Sequence, residues 1–472
     1  MSFARHEIRV VLLVAFLLLC PKLIAAQVEL GKVAEQVVIT AHPDQSYALF
    51  LPTNYTPDKR WPTIFCFDPR GRGQVAIERF AEAAEKFGYI VVCSNNSRNG
   101  LNWTNVADIF SNFWDDVHTR LHVDEKRTFA AGFSGGSRLA TTFASRCRGC
   151  LAGVIGIGAG FPGDISPDAR NSFAYYGIVG IDDFNFGEMW QLEKKLSKLS
   201  APFRFETFSG GHEWAPQESL QRALAWLSLQ SIKAGTAERN RSFLEEQLKL
   251  RVSLGEQLLA NKQYVDADRE FASVVRDFNG LLDLGTTTQK SEQLSKSSEV
   301  KKEMSTEDDL YRRQLREASE IRMLWMKTPE PEMAQPPRLQ AMSRLAEFRK
   351  AKEQPKDSTD RRLARRILTH LTIESFEMAQ SSARENDYTT ALANFELVKE
   401  IDPKNGNVTF EIARVLALKG QKKNAIQSLE EAVRLGFKDI ARLKADEAFS
   451  TLAADPRFQK LLASLAADVS FK

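Results

Sequence analysis

From about Val28 to Leu229, short runs rich in Val, Ile, Phe and Tyr alternate with longer segments of helical periodicity. The strand candidates are Val37–Thr40, Ser46–Leu51, Thr63–Phe67, Tyr89–Ser94, Arg127–Phe133, Gly153–Gly156, Ala174–Val179 and Arg204–Phe208. Helical segments at Val75–Phe87, Val106–Leu121, Gly135–Cys147, Phe186–Leu199 and Pro216–Leu229 separate the later ones. Such alternation predicts an α/β fold with a mostly parallel eight-stranded sheet covered on both faces. The opening pair, joined through His42-Pro43-Asp44, reads as an antiparallel hairpin at the sheet edge.

Past about Ser231 the strand signals vanish, and Glu, Lys, Arg, Leu and Ala dominate at helical spacing. Residues 281–309, rich in Ser, Thr, Lys and Glu, are expected to form a flexible loop. A proline-rich break follows at 328–340. Beyond it Ala379 recurs as Ala413, Ala391 as Ala425 and Phe395 as Leu429, always 34 residues on. Leu254-Gly255, Tyr264, Ala267 and Phe271 fit the same template earlier in the chain. Small residues where two helices touch, with a large one plugging between them, resemble tetratricopeptide (TPR) repeats over about 244–280 and 371–436. The tail from Lys438 to Leu462 is expected to cap the stack, with Phe449, Leu452, Phe458 and Leu461 buried. The expected organisation is therefore 1–26 leader, 27–232 α/β domain, 233–327 helical segment, 328–340 linker and 341–472 helical repeat domain.

The leader reading rests on Arg5 and Arg9, an eleven-residue apolar run from Val10 to Cys20, and the small pair Ala25-Ala26. The run is short for a roughly 30 Å hydrocarbon core, so export is expected, with a tether if the leader is not cleaved. Periplasm or exterior is the expected location, with no membrane contact beyond that segment. Of five cysteines, Cys66, Cys93, Cys147 and Cys150 lie outside the leader, which leaves room for two disulfides. The 64 basic and 61 acidic residues give a net charge of +3, and no nucleic-acid partner is expected from so even a balance.

Chemistry concentrates at Gly132-Phe133-Ser134-Gly135-Gly136, which follows a strand and opens a helix. That context suits a nucleophile elbow: glycines at 132 and 136 make room for a tight turn, and Ser134 stands above the strand ends. The Gly135 N–H, at the helix start, can donate to a developing oxyanion. A serine hydroxyl needs a base, and the base needs an orienting acid. Gly180-Ile181-Asp182-Asp183 follows the seventh strand, and Gly210-Gly211-His212-Glu213-Trp214 follows the last. Of six histidines, His212 alone follows both Ser134 and the acids within the α/β half. Asp183 is preferred to Asp182 by its position after the turn glycine. The loop Phe67-Asp68-Pro69-Arg70-Gly71-Arg72-Gly73 should supply the second oxyanion donor; Pro69 has no N–H, so Arg70 is preferred to Gly71. Arg72, Asn96, Arg98, Asn185 and Trp214 are candidates to touch substrate. Arg70, Arg72, Arg98 and the asparagines of Ser94-Asn95-Asn96-Ser97-Arg98-Asn99 should line the mouth, and they admit two readings: recognition of an anionic or polyhydroxylated acyl group, or bonds that simply hold the rim. No phosphate-cradling glycine loop with Lys and no metal-spaced His pair is visible, so neither cofactor nor metal is expected.

These motifs resemble the α/β-hydrolase superfamily over about Val28–Leu229, nearest to small esterases of the polyhydroxybutyrate depolymerase, feruloyl esterase and acyl-protein thioesterase types. The resemblance implies Ser134 as nucleophile, Asp183 as acid, His212 as base and an ester or other acyl substrate. Asp68-Pro69 departs from the His-Gly of many relatives. A serine peptidase of prolyl oligopeptidase type, or a silent hydrolase scaffold beside a TPR module whose groove holds a protein partner, are the alternatives.

Overall fold

A computed structural model describes residues 28–170, 172–327, 336–355 and 358–470. The expected leader and the proline-rich run 328–335 lie outside the described residues. The chain divides into two compact units, one ending at Asp309 and one beginning at Leu310.

In the first unit β1 (Val33–Ile39), β2 (His42–Phe50), β3 (Trp61–Phe67), β4 (Ile90–Ser94), β5 (Val123–Phe133), β6 (Gly153–Ile157), β7 (Ala174–Gly180) and β8 (Phe203–Phe208) form one sheet. Its order is β1-β2-β4-β3-β5-β6-β7-β8. β2 is antiparallel to β1 and β4, and the other pairings are parallel. This is the α/β-hydrolase fold. Ile39 pairs with His42, so Thr40-Ala41 makes the turn, and His42-Pro43-Asp44 already belongs to β2. Helices α1 (Gly73–Phe87), α2 (Trp103–Arg120), α3 (Gly135–Arg146), α4 (Phe186–Leu196) and α5 (Gln217–Lys233) lie between and after the strands. Along β3, Ile64 and Cys66 join a core with Phe80 of α1 and Leu224 of α5. Phe65 and Phe67 point the other way, into a core with Phe113 of α2, Phe143 of α3 and Met189 of α4. Burial on both faces explains why the central strands read as continuous apolar runs.

Cys147 and Cys150 are disulfide-bonded. A second bridge is not formed: Cys66 and Cys93 are register partners on β3 and β4, but both are free, buried thiols.

The first unit does not end with the sheet domain at 232. It continues through α6 (Arg241–Ala260), α7 (Tyr264–Phe278) and α8 (Thr287–Ser295), and α9 (Ser298–Met326) runs across the division. The flexible loop expected at 281–309 is therefore mostly helix. Phe271 packs onto Gly255, where a Cβ would approach the ring to 2.8 Å. The α6–α7 pair meets the sheet domain through buried charge. Arg204 of β8 donates to Glu270 at 2.8 Å, and Arg251 donates to Glu270 at 2.8 Å and to Asp277 at 2.6 Å. Trp226 and Gln230 of α5 also donate to Asp277, at 2.9 and 3.0 Å. Arg269 donates to both oxygens of Glu193 on α4 at 2.7 Å.

In the second unit α10 (Pro337–Lys352), which starts inside the expected linker, precedes α11 (Thr359–Arg384), α12 (Tyr388–Ile401), α13 (Gly406–Leu418) and α14 (Lys422–Arg434). Ala379, Ala391, Ala413, Ala425, Phe395 and Leu429 are all buried. The turn residues Lys262, Asn386 and Gly420 before α7, α12 and α14 share a left-handed backbone, with φ of 60°, 63° and 78°. α15 (Ile440–Ala445), a 3-10 turn (Glu447–Leu452) and α16 (Pro456–Ser470) follow, and Phe449, Leu452, Phe458 and Leu461 are buried against α13 and α14 residues.

Candidate active site

β5 ends at Phe133 and α3 begins at Gly135, which leaves Ser134 alone to reverse the chain. Its backbone sits at φ 55°, ψ −120°, a costly conformation for a residue with a side chain. Neighbouring contacts leave it no alternative. The Ser134 N–H donates to Ile157 O at 2.8 Å, and its carbonyl accepts from Ser137 N at 3.0 Å and Arg138 N at 3.2 Å. A Cβ on Gly132 would overlap the Gly136 carbonyl, and one on Gly136 would overlap the Phe67 carbonyl. Both glycines are thus steric requirements of the turn.

The structure brings Ser134, His212 and Asp183 together. His212 Nε2 lies 2.8 Å from Ser134 Oγ, and His212 Nδ1 lies 2.9 Å from each Asp183 oxygen. The Asp183 and His212 side chains are 1% and 8% exposed, so little water competes for these bonds. Asp183 is held in turn by the Asn185 N–H, which donates to Oδ1 at 2.8 Å. Phe133 and Phe184 flank the imidazole, with ring centroids at 4.7 and 4.5 Å.

The predicted second oxyanion donor is not available. The Arg70 N–H donates to Asp68 Oδ1 at 2.8 Å, and the Gly71 N–H donates to Asp68 O at 3.1 Å. Asp68, fully buried, organises this corner. Arg72 donates to its two oxygens through Nε and Nη2 at 3.1 and 3.0 Å, and Trp214 Nε1 donates at 3.1 Å. Burial alone would raise the Asp68 carboxyl, but the bonds from Arg72, the Arg70 N–H and Trp214 outweigh it and hold the group below the usual range.

Four of the five residues expected at the substrate are committed elsewhere. Arg72 and Trp214 serve Asp68. Asn96 accepts from Ser46 N at 2.8 Å and donates to Asp44 O at 3.2 Å, which ties down the β2 hairpin. Asn185 is buried and donates to Gly158 O at 2.8 Å. Arg98 alone of the five is exposed without such a bond among the described residues. A residue outside those five stands closer: the Asn99 carboxamide lies against Gly135, where a Cβ would overlap its Oδ1. Its place in an asparagine-rich run after β4 was the available signal.

No protein-family model and no curated protein matches the sequence. Solved structures resemble it in part. An S-formylglutathione hydrolase from Staphylococcus aureus is 17% identical, covers 42% of this chain and 98% of its own, and has a TM-score of 0.34. An esterase from the archaeon Pyrobaculum calidifontis is 14% identical, covering 46% and 91%, with a TM-score of 0.35. A feruloyl esterase module from Clostridium thermocellum is 13% identical, covering 40% and 84%, with a TM-score of 0.34.

Proposed function

We propose that the chain is an exported serine hydrolase that cleaves carboxylic esters through an acyl-enzyme. One observation carries this reading: His212 Nε2 stands 2.8 Å from the hydroxyl of a serine held at φ 55°. Ser134 Oγ attacks the ester carbonyl carbon while its proton passes to His212 Nε2. Asp183 fixes the imidazole with Nδ1–H towards the carboxylate and stabilises the imidazolium. The oxyanion is received by the Gly135 N–H. As the intermediate collapses, His212 returns the proton to the departing alcohol. Water, deprotonated by His212, then attacks the acyl-Ser134 carbonyl, and the acid leaves as Ser134 recovers its proton.

A fluorophosphonate probe tests the reading. It should label the wild-type protein and not Ser134→Ala, and equal labelling of both would end the assignment. An aryl ester series of increasing acyl length then reads specificity. The leader supports export, which the N-terminal residue of the protein recovered outside the cytoplasm would check. The 34-residue spacing and the shared left-handed turns support TPR-like pairs in the helical part, suited to a protein partner or to domain docking.

A further inference from the structure

The loops after β3 and β4 are zipped together beside Ser134. Arg70 and Arg98 form an antiparallel bridge, and the Asn99 N–H donates to Pro69 O at 2.9 Å. With that bond flanking them, Arg70 and Arg98 occupy the closer, non-hydrogen-bonded kind of cross-strand pair. In such a pair the two side chains leave the same face and approach most closely. Two guanidinium groups facing each other repel, and an ordinary fold would place a carboxylate between them. Here both residues are exposed, and no carboxylate among the described residues lies within 4.0 Å of either. The nearest acid in sequence, Asp68, is already shared by Arg72, the Arg70 N–H and Trp214. The pair also stands where a substrate would pass. Arg98 precedes Asn99, whose carboxamide lies against Gly135, the residue after Ser134.

We infer that Arg70 and Arg98 form an anion clamp at the mouth of the site, and that the substrate is an ester carrying a carboxylate or comparable anionic group. The inference rests on the serine hydrolase reading above. An arginine pair offers several N–H donors in planar forks, which suits an oxyanion better than a neutral chain. Binding of the anion would also relieve the repulsion between the two cations.

The test compares p-nitrophenyl hexanoate with the p-nitrophenyl monoester of adipic acid, which has the same number of acyl carbons. The hexanoate of 3-carboxy-4-nitrophenol moves the charge to the leaving group, so the two charged esters distinguish an acid-side from an alcohol-side anion. At least one charged ester should show the higher kcat/KM at low salt. Its advantage should shrink as salt is raised. The charged-to-neutral ratio of kcat/KM should fall about tenfold to a hundredfold in Arg98→Gln and in Arg70→Gln, through KM, and Arg98→Lys should retain part of it. A ratio unchanged in both glutamine variants, with turnover still dependent on Ser134, overturns the clamp and leaves the hydrolase reading standing. Absence of both turnover and fluorophosphonate labelling overturns the hydrolase reading, and the clamp with it.

Discussion

The α6–α7 and α11–α12 helix pairs are built on one pattern. Gly255, Tyr264, Ala267 and Phe271 recur 124 residues later as Ala379, Tyr388, Ala391 and Phe395. The left-handed Lys262 recurs as Asn386. The shared residues determine how two helices meet. They do not determine what the pair then does. Arg251, Glu270 and Asp277, which fasten the first pair to β8 and α5, correspond to Ser375, Asn394 and Ile401 in the second. A repeat signature is therefore a rule for an interior, and the attachment is written in separate positions. Since β8 leads directly to His212, the first pair is a structural part of the unit that holds Ser134, Asp183 and His212 together.

The largest contrast should come from Asp277→Ala against Asn394→Ala. The first leaves Arg251 buried beside a lost partner and should cost about 3–5 kcal/mol. The second removes the bond from Asn394 Nδ2 to Thr390 O and should cost about 1–3 kcal/mol. Denaturant unfolding measures both, and Asp277→Ala should reduce fluorophosphonate labelling of Ser134 more than Asn394→Ala does. Equal labelling would break the claim that the first pair supports the site.

Phe271→Ala and Phe395→Ala probe what the pairs share. Each empties a buried plug, and each should cost about 3–5 kcal/mol in the unit that holds it. A wide gap between the two losses would mean that the common pattern does not produce a common interior.

Acid should separate the pairs further. Burial raises the Asp277 carboxyl, but Arg251, Arg276 and Arg204 more than reverse this and hold it below the usual carboxylate range. A depressed pKa contributes stability that is full above an ordinary value of about 3.9 and is lost as pH falls through the lower folded value. Melting of the first unit should therefore decline as pH drops below about 4, and Asp277→Asn should flatten that decline. The smallest effect concerns Asp268, pushed up to about 6 by burial against the opposing pull of Arg269. Here the sign is opposite: the buried charge is a penalty at neutral pH that fades as pH falls towards about 4. Asp268→Asn should stabilise the first unit at pH 7 by well under about 1 kcal/mol, because the group is partly exposed, and a slight rise in melting temperature would read this.

The sheet was legible because its strands are apolar on both sides and end at Gly, Asp or Ser. The order of Ser134, Asp183 and His212 was legible because each stands just past a strand. The region 281–309 was misread for a physical reason. The buried stripe of α8 is Thr287, Ser291 and Leu294, so two of its three inward residues are polar and leave no apolar period. That the Arg70 N–H is taken up within its own loop was not legible, because sequence does not reveal that the Asp68 carboxylate folds back onto it. The same bond explains why Arg72 and Trp214 looked like rim residues and are supports.

Trp214 reaches Asp68 from only two residues beyond His212. The segment that carries His212 and the loop that carries Arg70 and Arg72 are thus joined through one sunken carboxylate. Loss of the Asp68 carboxylate would therefore loosen both segments at once, although neither the 70–72 loop nor His212 had been altered.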